Sequence, residues 1–511
     1  MNGKQLFLRA FSVSLCLCGS ICISQSFAQP PLESLEGQTR AVVAKAEKSV
    51  VTLVVSTVAY PNQIAGDVAK GKLGGYAANG DDDVCDLASP ANAPNYQTGN
   101  GIVLSAEGLI LVPHHLIDGA TKIYVRLSSG RGSYADIHAA DSRSDLAVLS
   151  LLEPPAGLVP ATIPKLVAGK PLASRGDFAI AISGGGSDAP VASLGLVAAV
   201  DKKVTVLVEP VFGQSPPLPL VCQPTLLQID ARTARGTSGG GIFNLKGELI
   251  GMTTALAAIA GSDLAPGFAV PMDRLYRPII ATLQTGQEVE YGFLGVTWAS
   301  DQRGNQRGWP QMNRFPARSN GNGVEIGMVT PGMPAEVAGI RSGDTLLEVN
   351  GFPISDMNDL QFRVGSALAT GETQLAMRRG DGPVKSVMVK LAKANNRLPW
   401  IASQRPQPVF GLRVDHLSTL FQDLVQNESR RDQEWMSSLP QAGVVVSEIE
   451  KGSPAEAAFS LPNQKYVITK VNGQSIANPA EFYTRTLKAT RLALTILPVG
   501  KSSKPYEVTL P

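Results

Sequence analysis

A short pattern of residues occurs twice in the C-terminal part of the chain. Each copy contains an apolar-Gly-apolar segment, then Gly-x-Pro-Ala-Glu, then Val-Asn-Gly, in the same order and at similar offsets. Proline at the first position of a helix and Asn-Gly between apolar residues predict a short helix, a strand and a tight turn. We therefore expect two domains of one fold in tandem. The segments are Leu294-Gly295-Val296, Pro334-Ala335-Glu336 and Val349-Asn350-Gly351 in the first copy, and Phe410-Gly411-Leu412, Pro454-Ala455-Glu456 and Val471-Asn472-Gly473 in the second.

The length of the chain leaves room for a larger domain before the repeat. The 511 residues, of which 44% are hydrophobic, are enough for about three domains, each with its own core. Upstream of the repeat, apolar and polar residues alternate between frequent Gly and Pro, as in residues 122–127. This pattern favours short antiparallel strands, so we expect the first domain to be mainly β.

One serine lies on a glycine-rich turn between two apolar segments, in Gly236-Thr237-Ser238-Gly239-Gly240. Glycines let the backbone turn sharply, so the hydroxyl can face a substrate while the amides of Gly236 and Ser238 point together toward an oxyanion. Similar clusters also occur in ordinary turns. A serine hydroxyl needs an adjacent base to become a nucleophile, so the motif requires partners elsewhere in the chain.

The chain has four histidines, and two of them occupy the place expected for such a base. His114 and His115 follow the apolar run 108–112, where the end of a strand would expose them on a loop. Asp145 directly precedes the apolar run 146–149, as expected for a buried acid that orients an imidazole. His, Asp and Ser therefore form a candidate catalytic set.

Residues 101–151 and 228–254 resemble the trypsin-like serine proteases of the HtrA/Deg family. The chain order His, Asp, Ser agrees with that lineage and differs from subtilisins and α/β-hydrolases. The resemblance implies His115 as general base, Asp145 as its orienting partner and Ser238 as nucleophile. It also implies a chymotrypsin-like double β-barrel, with the active site between the barrels.

Three departures from the family pattern fall on the catalytic loops. The bulky His114 precedes the histidine base, in a position to crowd it or compete with it. Thr237 replaces the usual Asn or Asp before the serine, and Gly241 replaces the usual proline after the Ser-Gly-Gly. Added backbone freedom would weaken an oxyanion hole, which works by preorganisation. Two functions therefore stay open: an active endopeptidase, and a catalytically impaired pseudoprotease that acts as a peptide-binding scaffold or chaperone.

The two repeats resemble PDZ domains, in which the apolar-Gly-apolar loop holds a peptide C-terminal carboxylate while the peptide adds as a strand to the sheet edge. The first copy is the stronger match, and the resemblance implies Phe293, Leu294, Gly295 and Val296 as its carboxylate-binding residues. The second copy lacks the Gly-Asp pair in the passage from its helix to the next strand, residues 459–466, and has a long polar insertion after Leu412. Peptide binding by the second copy is therefore an open question.

The N-terminal residues predict export. Lys4 and Arg9 precede an apolar run that is too short to span a bilayer, and Ala28 fits a cleavage site. We expect a signal peptide over 1–28 and a periplasmic or cell-envelope location, with an uncleaved membrane anchor as the alternative. Cys85 and Cys222 remain after cleavage, and they permit one disulfide if the fold brings them together.

The expected fold is thus mainly β, with a chymotrypsin-like double β-barrel followed by two α+β PDZ domains. The predicted boundaries are 34–287 for the trypsin-like protease domain, 288–395 for the first PDZ domain and 405–511 for the second, divergent one. By resemblance, the pocket that selects the substrate side chain includes Thr233 and Pro266. It has no charged floor and should favour small or medium apolar side chains.

The expected partners are unfolded or damaged proteins, cleaved without ATP, and peptide C-termini. The formal charge of +2 falls to zero when Lys4 and Arg9 leave with the signal peptide, and no basic block indicates nucleic acid. His138 and His416 lack metal-ligand spacing to other ligands, so neither a metal nor another cofactor is expected. The family resemblance implies a homo-oligomer built from trimers.

Overall fold

The computed structural model describes residues 32–56, 96–167, 170–185, 188–203, 225–231, 236–254, 267–298, 323–369, 371–396, 400–427, 439–459, 464–500 and 504–511. The predicted signal peptide, Cys85 and Cys222 lie outside these ranges. Strands predominate, and within the described part no helix has the length and apolar character to cross a membrane. The helices are α1 Leu32–Ala46, α2 Tyr276–Gln284, α3 Pro334–Val337, α4 Met357–Ser366, α5 Leu417–Asn427, α6 Pro454–Ala458 and α7 Pro479–Thr486.

The first β-barrel contains six antiparallel strands of the N-terminal domain. They follow the order β5-β4-β1-β2-β3-β6, and β5 also pairs with β6, which closes the barrel. In β4, every second residue is buried, so the alternation over 122–127 predicted this strand correctly. The strands are β1 Val50–Ser56, β2 Tyr96–Val103, β3 Leu109–Pro113, β4 Lys122–Leu127, β5 Gly132–Asp141 and β6 Leu146–Leu151.

The second barrel closes in the order β10-β11-β12-β9-β8-β7. One apolar core runs from the first barrel through the second to helix α2, which buries Tyr276, Ile279 and Leu283. The predicted double barrel is therefore confirmed, and its two halves share a core. The strands are β7 Phe178–Gly185, β8 Asp188–Lys203, β9 Thr225–Ile229, β10 Gly241–Phe243, β11 Leu249–Thr254 and β12 Gly267–Pro271.

The C-terminal repeat folds into two sheets with the same strand order. The first is β14-β15-β16-β18-β19 with β17 paired to β16, and the second is β22-β23-β24-β26-β27 with β25 paired to β24. The strands of the first unit are β13 Gly292–Phe293, β14 Val296–Trp298, β15 Val324–Val329, β16 Asp344–Val349, β17 Phe352–Pro353, β18 Glu372–Arg379, β19 Lys385–Lys390 and β20 Ala392–Lys393. Those of the second are β22 Leu412–His416, β23 Val444–Ile449, β24 Tyr466–Val471, β25 Gln474–Ser475, β26 Leu492–Pro498 and β27 Tyr506–Leu510.

The turns of the two units also correspond. Asn350 and Asn472 have φ of 52° and 49°, the left-handed conformation that Asn and Gly adopt in two-residue hairpin turns. Asp356 and Asn478 cap helices α4 and α7 by accepting hydrogen bonds from Asp359 N and Glu481 N. The repeat predicted from the sequence therefore extends from the turns to the topology of the sheet.

The linker between the two units adds a strand to the first barrel. Strand β21, Trp400–Ala402, pairs antiparallel with β5, with Ile401 opposite Ala140. Beyond it, Ser403 N donates to His138 O at 3.0 Å and Gln404 N donates to Gly286 O at 2.9 Å. The chain therefore returns to the protease domain after the first PDZ unit.

A buried ionic cluster joins the units near the same linker. The Lys393 ammonium lies 2.8 Å from Glu288, 3.4 Å from Glu290 and 3.0 Å from Asp415. Only 4% of the Lys393 side chain is exposed. Because Glu288 and Glu290 lie at the start of the first PDZ unit and Asp415 belongs to the second, one cation connects the two units close to the end of the protease domain.

Candidate active site

The histidine and the aspartate predicted as catalytic are in direct contact. Strand β3 ends at Pro113, and a short 3-10 turn over His114–Leu116 follows. His115 Nδ1 lies 2.7 Å from Asp145 Oδ2, and His115 N donates to Asp145 Oδ1 at 2.8 Å. Both carboxylate oxygens therefore bind the same residue, which fixes the imidazole relative to the turn.

This hydrogen-bonded pair lies at the boundary between the core and the solvent. The Asp145 side chain is 6% exposed and the His115 side chain 25% exposed. A carboxylate that only accepts hydrogen bonds requires the proton of the imidazole on Nδ1. The other ring nitrogen, Nε2, is thereby left as a proton acceptor.

The conformation of the Ser238 loop depends on glycines at positions where a side chain would be strained or would collide with a neighbour. Gly236 and Gly239 have φ of 86° and 85°, in the left-handed region that favours glycine. A Cβ at Gly239 would collide with the carbonyl oxygen of Asn100. Gly240 N donates to Thr237 O at 3.0 Å, which closes the turn around Ser238. The loop thus adopts the sharp turn that the glycine pattern predicts.

His114 and Gly241, two of the departures from the family pattern, make defined backbone contacts in the structure. His114 contacts Asp145 through its backbone, since His114 N donates to Asp145 O at 2.9 Å, while His115 holds the carboxylate. Gly241 begins strand β10 and pairs with both Met252 and Ile182. A Cβ at Gly241 would collide with the ring of Phe243. The backbone of Gly241 is therefore fixed by pairing with the strands on both sides of it.

Two buried side chains that contact the serine loop were not anticipated from the sequence. Asn100 Nδ2 donates to Gly236 O at 2.8 Å, and Thr253 Oγ1 donates to Thr237 O at 2.5 Å. Asn100 lies 136 residues before its partner in the chain. The only sequence signal was the position of Asn100 between two glycines, Gly99 and Gly101, in a strand.

A second buried carboxylate, Asp141, supports the Asp145 turn. Asp141 Oδ2 accepts from Ser144 N at 2.8 Å and also from the hydroxyl of Tyr291, the residue before strand β13. Burial raises the pKa of Asp141, against the opposing effect of these hydrogen bonds. The Arg143 guanidinium lies 4.2 Å from the centre of the Tyr291 ring. The turn before Asp145 therefore contacts the start of the first PDZ unit.

The remaining predicted site residues belong to the specificity pocket and to the carboxylate-binding loop. Thr233 and Pro266, predicted for the specificity pocket, lie outside the described residues. Phe293 ends strand β13 and Val296 begins β14, so the predicted carboxylate-binding residues form the loop between these strands. At its centre, Gly295 has φ of 81°. A Cβ there would collide with the side chain of Met333.

In the second PDZ unit, the corresponding strand edge has an internal partner. Val414 N in β22 donates to the hydroxyl of Tyr483 in helix α7 at 3.3 Å. In PDZ domains a peptide strand binds to this edge. A peptide that adds to β22 must therefore displace Tyr483.

His138 and His416, which the sequence did not assign to a metal, have other contacts. His138 Nε2 lies 3.2 Å from Gln284 O, and His416 Nε2 lies 3.7 Å from Glu290 Oε2. Among the described residues, no group of three or more His, Cys, Asp and Glu is arranged to hold a metal ion. The contacts of both histidines instead connect parts of the chain that are distant in sequence.

Known families match both parts of the chain. Residues 99–252 match the trypsin-like peptidase domain, and residues 325–368 match the PDZ domain. The putative serine protease HhoA of Synechocystis is 32% identical over 312 residues, covering 58% of this chain and 71% of that protein. A probable periplasmic serine endoprotease DegP-like of Marinomonas is 28% identical over 400 residues, covering 77% and 75%. The periplasmic pH-dependent serine endoprotease DegQ of Escherichia coli is 28% identical over 420 residues, covering 82% and 81%.

The two-barrel fold and the trypsin-like peptidase match define a serine-type protease with PDZ domains. The chain belongs to the HtrA/Deg family of serine proteases.

Proposed function

We propose that the protein is an exported, ATP-independent endopeptidase that cleaves unfolded or damaged proteins at Ser238. The observation that carries this proposal is the pair of contacts from His115 to both oxygens of Asp145, because this arrangement prepares an imidazole to act as a base. The loop of Ser238 has the glycine conformations that a nucleophile turn needs.

The reaction follows from this geometry as acyl transfer. His115 Nε2 takes the Ser238 proton while Ser238 Oγ attacks the peptide carbonyl, and Asp145 stabilises the imidazolium. The amides of Gly236 and Ser238 hold the oxyanion of the tetrahedral intermediate. The imidazolium then protonates the leaving amine, and a water activated by His115 releases the acyl-enzyme.

The PDZ domains are proposed to bind peptide C-termini, through Phe293 to Val296 in the first domain. Thr233 and Pro266 would line a pocket for small or medium apolar side chains, and a survey of cleavage sites tests this, since a preference for Lys or Arg contradicts it. Location in the periplasm is supported by the names of the DegP-like and DegQ relatives. The signal peptide over 1–28 and a trimer-based assembly belong to the same proposal.

The test is reaction of the signal-free protein with a fluorophosphonate probe, followed by digestion of unfolded casein. Wild type is expected to be labelled and to cleave casein, whereas Ser238→Ala and His115→Ala should do neither. Absence of labelling in folded wild type, even with a PDZ-binding peptide present, would favour the non-hydrolytic scaffold.

A further inference from the structure

The carbonyl groups of the Ser238 loop accept hydrogen bonds from two buried side chains, Asn100 in strand β2 and Thr253 in strand β11. Asn100 Nδ2 donates to Gly236 O at 2.8 Å and approaches Ser238 O at 3.2 Å. Thr253 Oγ1 donates to Thr237 O at 2.5 Å and lies 3.2 Å from Gly240 O. Four carbonyl groups of one short loop are therefore fixed by side chains outside it.

The direction of a carbonyl group determines the direction of the next amide. A trans peptide is planar, so its N–H points opposite to its C=O. Because Thr237 O points to Thr253, the N–H of Ser238, which lies in the same peptide plane, points in the opposite direction, away from Thr253. A rotated peptide between Thr237 and Ser238 would present a carbonyl oxygen to the developing oxyanion in place of a donor.

Asn100 also connects the loop to both barrels. It is fully buried in strand β2 of the first barrel, where it pairs with Thr52. Its Oδ1 accepts from Gly184 N in strand β7 of the second barrel at 2.7 Å. Its backbone N donates to Ser238 O at 2.8 Å, and Gly239 N donates to Thr253 O at 2.8 Å. The loop is therefore held at the boundary between the barrels.

We propose that Thr253 and Asn100 are positioning residues that keep the oxyanion-binding amide of Ser238 directed at the substrate carbonyl. The proposal rests on the proposed function, because it presupposes Ser238 as the nucleophile. Thr253 fixes the peptide whose N–H binds the oxyanion, and Asn100 fixes the peptides before and after it. These contacts give the loop the rigidity that the glycines alone do not supply.

The test compares Thr253→Val, which removes the hydroxyl at nearly constant shape, with Thr253→Ser, which keeps it. Loss of an oxyanion-hole donor lowers kcat by about 10²–10³. For a group that only orients a donor, we expect kcat of Thr253→Val to fall by roughly 10–100-fold, with KM changed less than about threefold. Thr253→Ser is expected to restore most of kcat.

A transition-state analogue separates positioning from general damage to the fold. A peptide boronate uses the oxyanion hole, so its Ki should rise in Thr253→Val by the same factor as kcat/KM falls. Binding of the corresponding product peptide should not change. Thr225→Val is the matched control, because the Thr225 hydroxyl is buried in β9 without a hydrogen-bond partner among the described residues. It should leave both constants unchanged.

Asn100→Leu is the second variant, since it keeps the branched shape of the side chain and removes the hydrogen bonds to Gly236 O, Ser238 O and Gly184 N. It should show the same proportional loss in kcat/KM and in boronate affinity. The inference is overturned if wild type requires Ser238 while folded Thr253→Val and Asn100→Leu keep wild-type kcat. It is also overturned if kcat falls with no change in boronate Ki. If Ser238→Ala equals wild type, the proposed function itself fails.

Discussion

The residue that orients the candidate base has a conformation that L-amino acids rarely adopt. Asp145 has φ of 50°, which costs about 1 kcal/mol or more for a non-glycine residue. The turn that imposes this conformation is held by Asp141, which accepts from Ser144 N. In this conformation the Asp145 carboxylate reaches both the backbone N and the Nδ1 of His115.

Asp145→Asn is expected to lower kcat by about 10⁴ with little change in folding, because an amide no longer fixes the proton on His115 Nδ1. Steady-state kinetics on a peptide substrate measure this effect. Asp118→Asn, an exposed carboxylate shortly after the 3-10 turn, is the control. Activity within tenfold of wild type would contradict the assigned role of Asp145.

Asp141→Asn is expected to change how stability depends on pH. Burial raises the pKa of Asp141 above its ordinary value of 3.8, so the folded protein keeps this proton where the unfolded chain loses it. The contribution of Asp141 to the free energy of unfolding therefore falls as the pH rises from about 4 through the raised pKa. Relative to wild type, the variant should gain stability over that interval.

Urea denaturation at a series of pH values measures this difference for Asp141→Asn. Asp136→Asn is the matched control, because Asp136 lies exposed in the same strand. A constant difference between Asp141→Asn and wild type from about pH 4 to pH 8 would contradict the prediction.

His115, Asp145 and Ser238 could be predicted from the sequence because each lies in a short pattern beside a strand. Asn100 and Thr253 were not identified, because their role consists of hydrogen bonds to a loop that only the folded chain brings near. For Asn100 the partner is 136 residues away. Local patterns report turns and strand ends, and they do not report which buried polar group satisfies a distant carbonyl.

The linker strand β21 could not be predicted from a local pattern either. Its three residues, Trp400–Ala402, are too few for a periodic pattern, whereas the strands of the barrels and the Asn-Gly turns were long or distinctive enough to predict. Strand β5 is longer than its pairing with β4, and the part of β5 beyond that pairing has a free edge to which β21 can bind.

Ile401→Pro is expected to detach this strand. Ser403 N donates to His138 O, so the two-residue alternation directs the Ile401 amide toward β5 as well, and proline removes that donor. In a Ser238→Ala background, trypsin should cleave after Arg397 about tenfold faster or more. Ile401→Thr keeps the amide and should match the background protein. Equal rates for both variants would show that β21 does not protect the linker.

The Tyr483 hydroxyl is expected to protect one amide of the second PDZ domain. Tyr483→Phe removes the acceptor of Val414 N–H, so hydrogen exchange at Val414 should accelerate by about tenfold. Tyr506→Phe, an exposed tyrosine in β27 of the same domain, is the control. Unchanged exchange at Val414 would mean that another group covers this strand edge.

The contact between the two PDZ units depends on the positive charge of Lys393, which lies between Glu288, Glu290 and Asp415. Burial by itself would lower the pKa of Lys393, but Asp415, Glu288 and Glu290 together raise it above its ordinary value. Burial raises the pKa of Glu288, and Lys393 opposes that effect. Removal of the cation would leave three carboxylates close together, with His416 beside them.

Lys393→Met is therefore expected to destabilise the protein by about 3–5 kcal/mol near pH 8. Without the lysine the pKa of Glu288 rises further, so the folded protein takes up a proton as the pH falls and regains stability. Chemical denaturation at pH 8 and near pH 5 should show a smaller deficit at the lower pH. Lys390→Met, an exposed lysine in β19, is the control. A deficit that grows at low pH would contradict this account.

The return of the chain to strand β5 constrains how the first PDZ domain can move. That domain leaves the protease after Gly286 and is fastened again at Gln404, whose N–H donates to Gly286 O. With both ends attached to the protease, the domain has less freedom of movement than it would have on a single tether. Strand β21, which makes the second attachment, pairs with Asp141, so the linker from this domain ends four residues from the aspartate that holds the candidate base.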